Sequence, residues 1–181
     1  MDNTVVVLTV DHGNFGGRFG LIGKTKAFYD ALVRIPLVIH MPGIKGNGKR
    51  YNAQLENIDV MPTVMEYLGF EKQVGIKGVS FLPIMKGESA DEHRDVIYSE
   101  VGLLERPPGI MPVDEFKAFQ KKRIEESGTT WFLDYTVNGR ASMIKKDNWK
   151  YCFYVNDREE LYNLNEDPME IHNLAYKDEY T

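Results

Sequence analysis

Near the N-terminus an aspartate, a histidine and a lysine have the types and spacing for chemistry on an anion. Asp11-His12-Gly13 closes an apolar, β-branched run (Val5, Val6, Val7, Leu8, Thr9, Val10), and Lys24 ends the glycine-rich loop from Gly13 to Gly23. A carboxylate supplies a hard oxygen ligand, an imidazole supplies a nitrogen ligand or a proton, and a glycine lets the backbone turn sharply beside an ion. An ammonium held in a loop rich in backbone N–H groups would neutralise an anionic oxygen during ester cleavage. Together these groups suit a divalent cation beside an anionic ester. The expected site is Asp11 and His12 as metal ligands and Lys24 as catalytic anion contact, with Arg18 of the same loop as a second substrate contact. Two plainer readings stay open here: Asp11 capping a backbone amide in a turn, and Lys24 as a surface lysine.

These residues need an α/β frame. Residues 4–10 read as a strand buried on both faces, as in a parallel or mixed sheet flanked by helices. In such open sheets ligands gather outside the carboxyl ends of the strands. A short helix is expected over 25–33, a second buried strand over 35–41, and a helix capped by Asp59 and stopped by Gly69, with Val60, Met61, Val64, Met65 and Leu68 on its apolar face. Gly78 to Gly87 reads as a turn into a short helix, and 95–101 as a strand. The stretch 103–130 shows no strand pattern and is read as an insertion with a charged helix near 113–126. From Trp131 onward, short aromatic or β-branched segments at 131–137, 141–146, 149–155 and 159–164 alternate with turn dipeptides, Asn138-Gly139 being the strongest. They predict an antiparallel sheet, followed by a last helix over 169–176. The fold class is therefore α/β: part of a mixed central sheet flanked by helices, then a small C-terminal antiparallel sheet with a terminal helix. The implied division is a core part at 1–101, an insertion at 102–130 and a C-terminal subdomain at 131–181. Among other polar residues, Arg34 is expected in a buried ion pair with Asp30, Asp59 as an N-cap only, His40 in the core, and His93 and His172 exposed.

The chain has 181 residues, 43% hydrophobic and 12% aromatic, enough for a packed core. Its net charge of -5 and the lack of a basic stripe argue against nucleic acid, since Lys121, Lys122 and Arg123 are followed at once by Glu125 and Glu126. The single cysteine, Cys152, allows no internal disulfide and no cysteine zinc site, and its aromatic neighbours read as the setting of a buried, inert thiol. No apolar run reaches membrane-spanning length. No signal peptide precedes the first strand, the pattern of a cytoplasmic chain as it stands, or of a periplasmic or secreted one if a longer precursor carries the leader. A core strand beginning at residue 5 suggests that the chain is the C-terminal piece of a longer domain.

Taken together, several blocks resemble the C-terminal half of the sulfatase family, within the alkaline-phosphatase-like superfamily. The residues that carry the resemblance are Asp11-His12-Gly13, Gly23-Lys24, Tyr29, Arg34-x-Pro36 and Pro42-Gly43, with Glu160-Leu161-Tyr162-Asn163-Leu164, Asp167-Pro168 and Asn173-Leu174 closing the chain in the manner of bacterial sulfatases. The resemblance implies that Asp11 and His12 are the C-terminal ligands of a divalent ion, usually calcium, with manganese or magnesium as alternatives, and that Lys24 contacts the sulfate. Two features depart from the family. The Cys/Ser-x-Pro/Ala-x-Arg motif that yields the formylglycine nucleophile is absent, as is the early aspartate pair of the metal site. Phe19 stands where the loop usually carries a histidine.

The expected function is the C-terminal portion of a metal-dependent sulfate-ester hydrolase, inactive alone because it lacks the nucleophile-bearing half. Completed by such a half, it would act on a sulfate-ester small molecule or glycan. One alternative is a non-catalytic remnant that binds a partner or self-associates through an exposed core edge. Another is a hydrolase of phosphate or phosphonate esters from the same superfamily.

Overall fold

The computed structural model describes residues 2–24, 27–71, 73–89, 92–102, 140–155 and 157–180, and within 103–139 only Glu115, Ala118, Lys121, Lys122 and Glu125. Those five are helical and exposed, while the expected strand at 131–137 and its Asn138-Gly139 turn lie outside the described residues. Two sheets organise the rest. The first pairs β1 (Val6–Thr9) with β2 (Leu37–His40) in antiparallel register, Val7 opposite Ile39 and Leu8 opposite Val38. The second is a four-stranded antiparallel meander in the order β3 (Val96–Val101), β4 (Ala141–Lys146), β5 (Trp149–Tyr154) and β6 (Glu160–Asn163). The strand at 95–101, grouped above with the preceding core, is thus an edge of the C-terminal sheet.

Three short helices lie on the first half: α1 (Asp30–Val33), α2 (Val60–Tyr67) and α3 (Leu82–Lys86). Of the expected helix at 25–33, residues 25–26 lie outside the described residues and 27–29 are not helical: Tyr29 is extended at ψ 143 and Phe28 is buried against the second sheet, so α1 begins at Asp30. Gly87 takes the left-handed conformation at φ 75 and ends α3, a C-cap that a β-carbon would strain. The core has two parts. Met41, Phe81, Leu82, Ile84 and Met85 form one beneath β2, and Phe28, Ala141, Met143 and Cys152 form the other against β4 and β5.

Three expectations about burial need correction. β1 is not buried on both faces: every residue of the strand is exposed, Leu8 by 58%, and Val38 opposite it by 62%. Among the described residues the first sheet has only two strands, so each keeps one edge unpaired. On α2, Val64 packs inward as expected, but Met61 and Leu68 are exposed, and Thr63 and Tyr67 take the inward places. Residues 169–176 form turns rather than a helix, and the terminal helix is a single 3-10 turn at Asp178–Tyr180. The cause is local competition from side chains. Asp167 Oδ2 accepts the N–H groups of Ile171 and His172, and Asn173 Oδ1 accepts those of Leu161 and Ala175. Leu174 then donates to Leu161 O, so the segment runs along the outer edge of β6.

Candidate functional site

At the carboxyl end of β1 the chain bends through Asp11, His12 and Gly13. Gly13 is required here by close approach: its N–H donates to Leu32 O at 2.7 Å, and a β-carbon would sit 2.0 Å from Ala31 O. α1 therefore rests directly on the motif. The glycine loop returns to the same place because Asn14 Oδ1 accepts the N–H groups of both Gly16 and Gly23, and Phe15 N–H donates to Gly23 O. This clip brings Lys24 back beside His12, with Lys24 Nζ 2.5 Å from His12 Nε2.

The hydrogen bonds fix the imidazole's form. His12 Nδ1 lies 2.8 Å from Gly13 O, an acceptor only, so Nδ1 carries the proton and Nε2 presents its lone pair to the Lys24 ammonium. Asp11 Oδ2 lies 3.4 Å from the same Nε2, and Asp11 Oδ1 accepts the His12 N–H at 3.0 Å. A carboxylate and an imidazole lone pair thus stand side by side with a cation, the ammonium, already on one of them. That donor set fits two ligands of a divalent ion. It falls short of calcium's six to eight oxygens, and among the described residues no group of three or more His, Cys, Asp or Glu side chains comes together as a metal site.

Asp11, His12, Gly13 and Lys24 line a cleft of about 2070 Å3 whose walls come from both sheets, through Leu37 and Ile39 on one side and Ile97 and Met143 on the other. Arg18 is turned elsewhere. Its Nη2 donates to Pro168 O at 3.4 Å and lies 3.1 Å from Met169 Sδ, with the guanidinium 5.3 Å from the centre of the Phe19 ring.

Several polar residues stand otherwise than the sequence suggested. Arg34 is 84% exposed and only 3.9 Å from Asp30, not a buried pair. The buried partner of Asp30 is Lys150, fully enclosed, which donates to Asp30 Oδ1, to Glu170 Oε1 at 2.6 Å and to Phe28 O at 3.1 Å. Asp59 stands at the N-cap position of α2, but its side chain makes no cap bond to that helix. It is completely buried and accepts from Glu56 N–H, Val79 N–H and both Nε and Nη2 of Arg94. Burial pushes its carboxyl up, but the Arg94 hydrogen bond and the two backbone donors outweigh that and hold it below the usual carboxylate range. His93, expected exposed, is 6% exposed and lies 3.4 Å from Asp59. Cys152 is buried as expected, and burial pushes its thiol up to about 12, which keeps it protonated and unreactive. Lys150 had a signal in the sequence: strand alternation puts it on the same face of β5 as Cys152, the side away from Trp149, Tyr151 and Phe153.

Comparison with known proteins places this arrangement. Residues 17–102 match the family described as N-sulphoglucosamine sulphohydrolase, C-terminal. A Delta 4,5-hexuronate-2-O-sulfatase of Bacteroides thetaiotaomicron is 26% identical over 185 residues, covering 99% of this chain and 32% of the relative. Among solved structures, a 2-O GAG sulfatase superposes with a TM-score of 0.71 at 25% identity, over 99% of this chain and 33% of the other. A phosphonate monoester hydrolase from Silicibacter pomeroyi matches with the same TM-score and identity, over 99% and 32%. The chain spans about a third of the length of these relatives. The chain is sulfatase-like, and its likeness is to the C-terminal portion of that family.

Proposed function

We propose that this chain contributes the C-terminal part of the active site of a metal-dependent sulfate-ester hydrolase. The observation that carries the reading is the Asp11–His12–Lys24 cluster: three groups brought to one point by the end of β1, the Gly13–Leu32 bond and the Asn14 clip. Asp11 and His12 would hold a divalent cation, calcium before manganese or magnesium, sharing it with ligands from a preceding segment. When bound, such an ion supplies Lewis-acid charge that polarises an ester oxygen. Lys24 would place its ammonium against the sulfate and stabilise the negative charge that develops as the ester bond breaks. Gly13 O orients the ring by accepting from Nδ1 and so turns Nε2 toward Asp11 and Lys24, where a bound ion would take the Nε2 lone pair in place of the Lys24 ammonium. Arg18 would reach the anion only by giving up Pro168 and Met169.

No formylglycine motif occurs in the 181 residues, so the nucleophile would come from the complementing segment and the isolated chain would not turn over substrate. Its substrate class is a sulfate ester of a small molecule or a glycan, by analogy with the hexuronate and GAG sulfatases it resembles. A second reading, a phosphate or phosphonate ester, is favoured by the phosphonate monoester hydrolase likeness, because Lys24 and a divalent ion serve either anion.

Two tests apply. The coding DNA upstream of the Met1 codon should carry, in frame or adjacent, a Cys/Ser-x-Pro/Ala-x-Arg motif and an early aspartate pair; unrelated DNA there counts against the hydrolase. In the rejoined protein, Lys24→Ala should lower aryl-sulfate hydrolysis by at least about 100-fold with folding intact. Unchanged hydrolysis removes Lys24 from the site, and preferred turnover of an aryl phosphonate selects the second reading.

A further inference from the structure

Glu170 occupies an unusual position. It is a non-glycine residue at φ 57, just past the Asp167-Pro168 turn, yet its side chain is buried. Such a backbone persists only where the surroundings enforce it. Here both carboxylate oxygens are engaged: Oε1 accepts from Lys150 Nζ at 2.6 Å, and Oε2 accepts the Asp30 N–H at 2.7 Å. Asp30 opens α1, whose N-cap residue Tyr29 provides no side-chain cap. Glu170 therefore satisfies an orphan amide of α1 from 140 residues away.

Lys150 completes the tie by donating to Phe28 O and to Asp30 Oδ1. The far end of α1 presents Leu32 O to Gly13 N–H and Ala31 O to the Gly13 α-carbon. Arg18 fastens the glycine loop to Pro168 and Met169, and the Tyr29 ring packs 6.5 Å from that of Tyr162. An unbroken series of contacts thus runs from β5 and the segment 168–170, through α1, to Gly13 and the His12–Lys24 pair.

We propose that Glu170 and Lys150 are positioning residues for the Asp11–His12–Lys24 cluster, with the C-terminal segment 168–170 serving as the brace that sets α1 and the glycine loop. The inference rests on the functional reading of that cluster, but the brace itself can be tested without any substrate.

The test compares this chain with its Glu170→Ala and Glu170→Gln variants, each first shown to be folded by the exchange protection of β1–β2 amides such as Val7 and Ile39. Glu170→Gln keeps an oxygen for the Asp30 N–H and serves as the milder variant should Glu170→Ala not fold. In the folded variants the Gly13 and Asp30 amides should exchange at least tenfold faster than in the parent, with Val7 and Ile39 unchanged, and Glu170→Gln should retain part of the protection that Glu170→Ala loses. Uniform acceleration of all amides, or none at Gly13, would overturn the brace. The 15N resonance of His12 Nε2 gives a second readout that a merely stabilising residue would leave alone. Glu170→Ala should move it in the direction that Lys24→Ala does, and a resonance fixed at the parent position in Glu170→Ala overturns the positioning role. If Lys24→Ala itself leaves that resonance unmoved, the Lys24–His12 contact and the functional reading fall, while the exchange pattern still decides the brace.

Discussion

The two halves of the molecule each enclose an ionic cluster, yet their sheets treat their surfaces in opposite ways. In the first half, Asp59 is fully enclosed and satisfied by Arg94 and two backbone amides, while the β1–β2 pair leaves Val6, Leu8 and Val38 exposed. In the second half, Lys150 is the enclosed charge, shared by Asp30 and Glu170, and the sheet has its β6 edge covered by residues 173–174 and β3 contacted by Glu56, whose Oε1 accepts the Tyr98 N–H. The candidate chemistry sits on the open sheet and the bracing on the closed one. Among the described residues the strand that carries Asp11 and His12 at its end keeps one edge unpaired, as β2 does, and Gly13 just beyond it rests on α1, which Lys150 of the better-covered sheet holds through Asp30 and Phe28.

Substitutions can break this contrast at either end. The largest losses should come from unpairing a buried charge, about 3–5 kcal/mol for Asp59→Ala in the first half and for Lys150→Met in the second, read by chemical denaturation. If only one of the two is costly, the halves are not equally dependent on their ionic clusters. Gly13→Ala should cost about 1–3 kcal/mol or more, because its methyl group meets Ala31 O and α1 must shift. By contrast, Leu8→Thr or Val38→Thr on the open face should stay within about 0.5 kcal/mol of the parent. A loss as large as that at Asp59 would mean that the first sheet's outer face is covered after all.

Acid separates the halves by sign. The Asp59 carboxyl is held low, so its contribution is present above about pH 4, the unfolded range, and is lost as the pH falls through the lower folded value. Glu160 on β6 is pushed up, chiefly by burial, against the hydrogen bond from Tyr154 Oη. Its charged form weighs against the folded state at neutral pH, and that penalty is relieved as the pH falls from its raised folded value towards about 4.3. Thermal melts should show parent stability rising on mild acidification relative to Glu160→Gln, and then falling below about pH 4 as Asp59 takes up a proton. The smallest effect belongs to Arg140→Ala, whose exposed pair with Glu100 should leave the melt unmoved.

The contrast also marks what a sequence can show. β-branched runs, glycine stops and the Asp11-His12-Gly13 turn are local, and the strands at 37–40, 96–101, 141–146, 149–154 and 160–163 and the helices at 60–67 and 82–86 follow from them. The proximity of Lys24 to His12 was legible as a spacing in a glycine loop, although the Asn14 clip that produces it was not. What stayed hidden is long-range pairing. Arg94 reaches Asp59 across 35 positions, Lys150 reaches Asp30 across 120 and Glu170 reaches Asp30 across 140. No periodicity records such partners, so His93 read as exposed and Arg34 as the mate of Asp30. The terminal helix failed for a different reason: Asp167 and Asn173 capture backbone amides that a helix would have used.

The most direct test of the account is a calcium titration of this chain followed by NMR at Asp11 and His12, in parallel with Asp11→Asn. The account predicts that the signals of these two residues move together and saturate only at about millimolar calcium, as two ligands of an incomplete set would, and that Asp11→Asn abolishes the shift. Sub-micromolar saturation, or shifts that bypass Asp11 and His12, would contradict it.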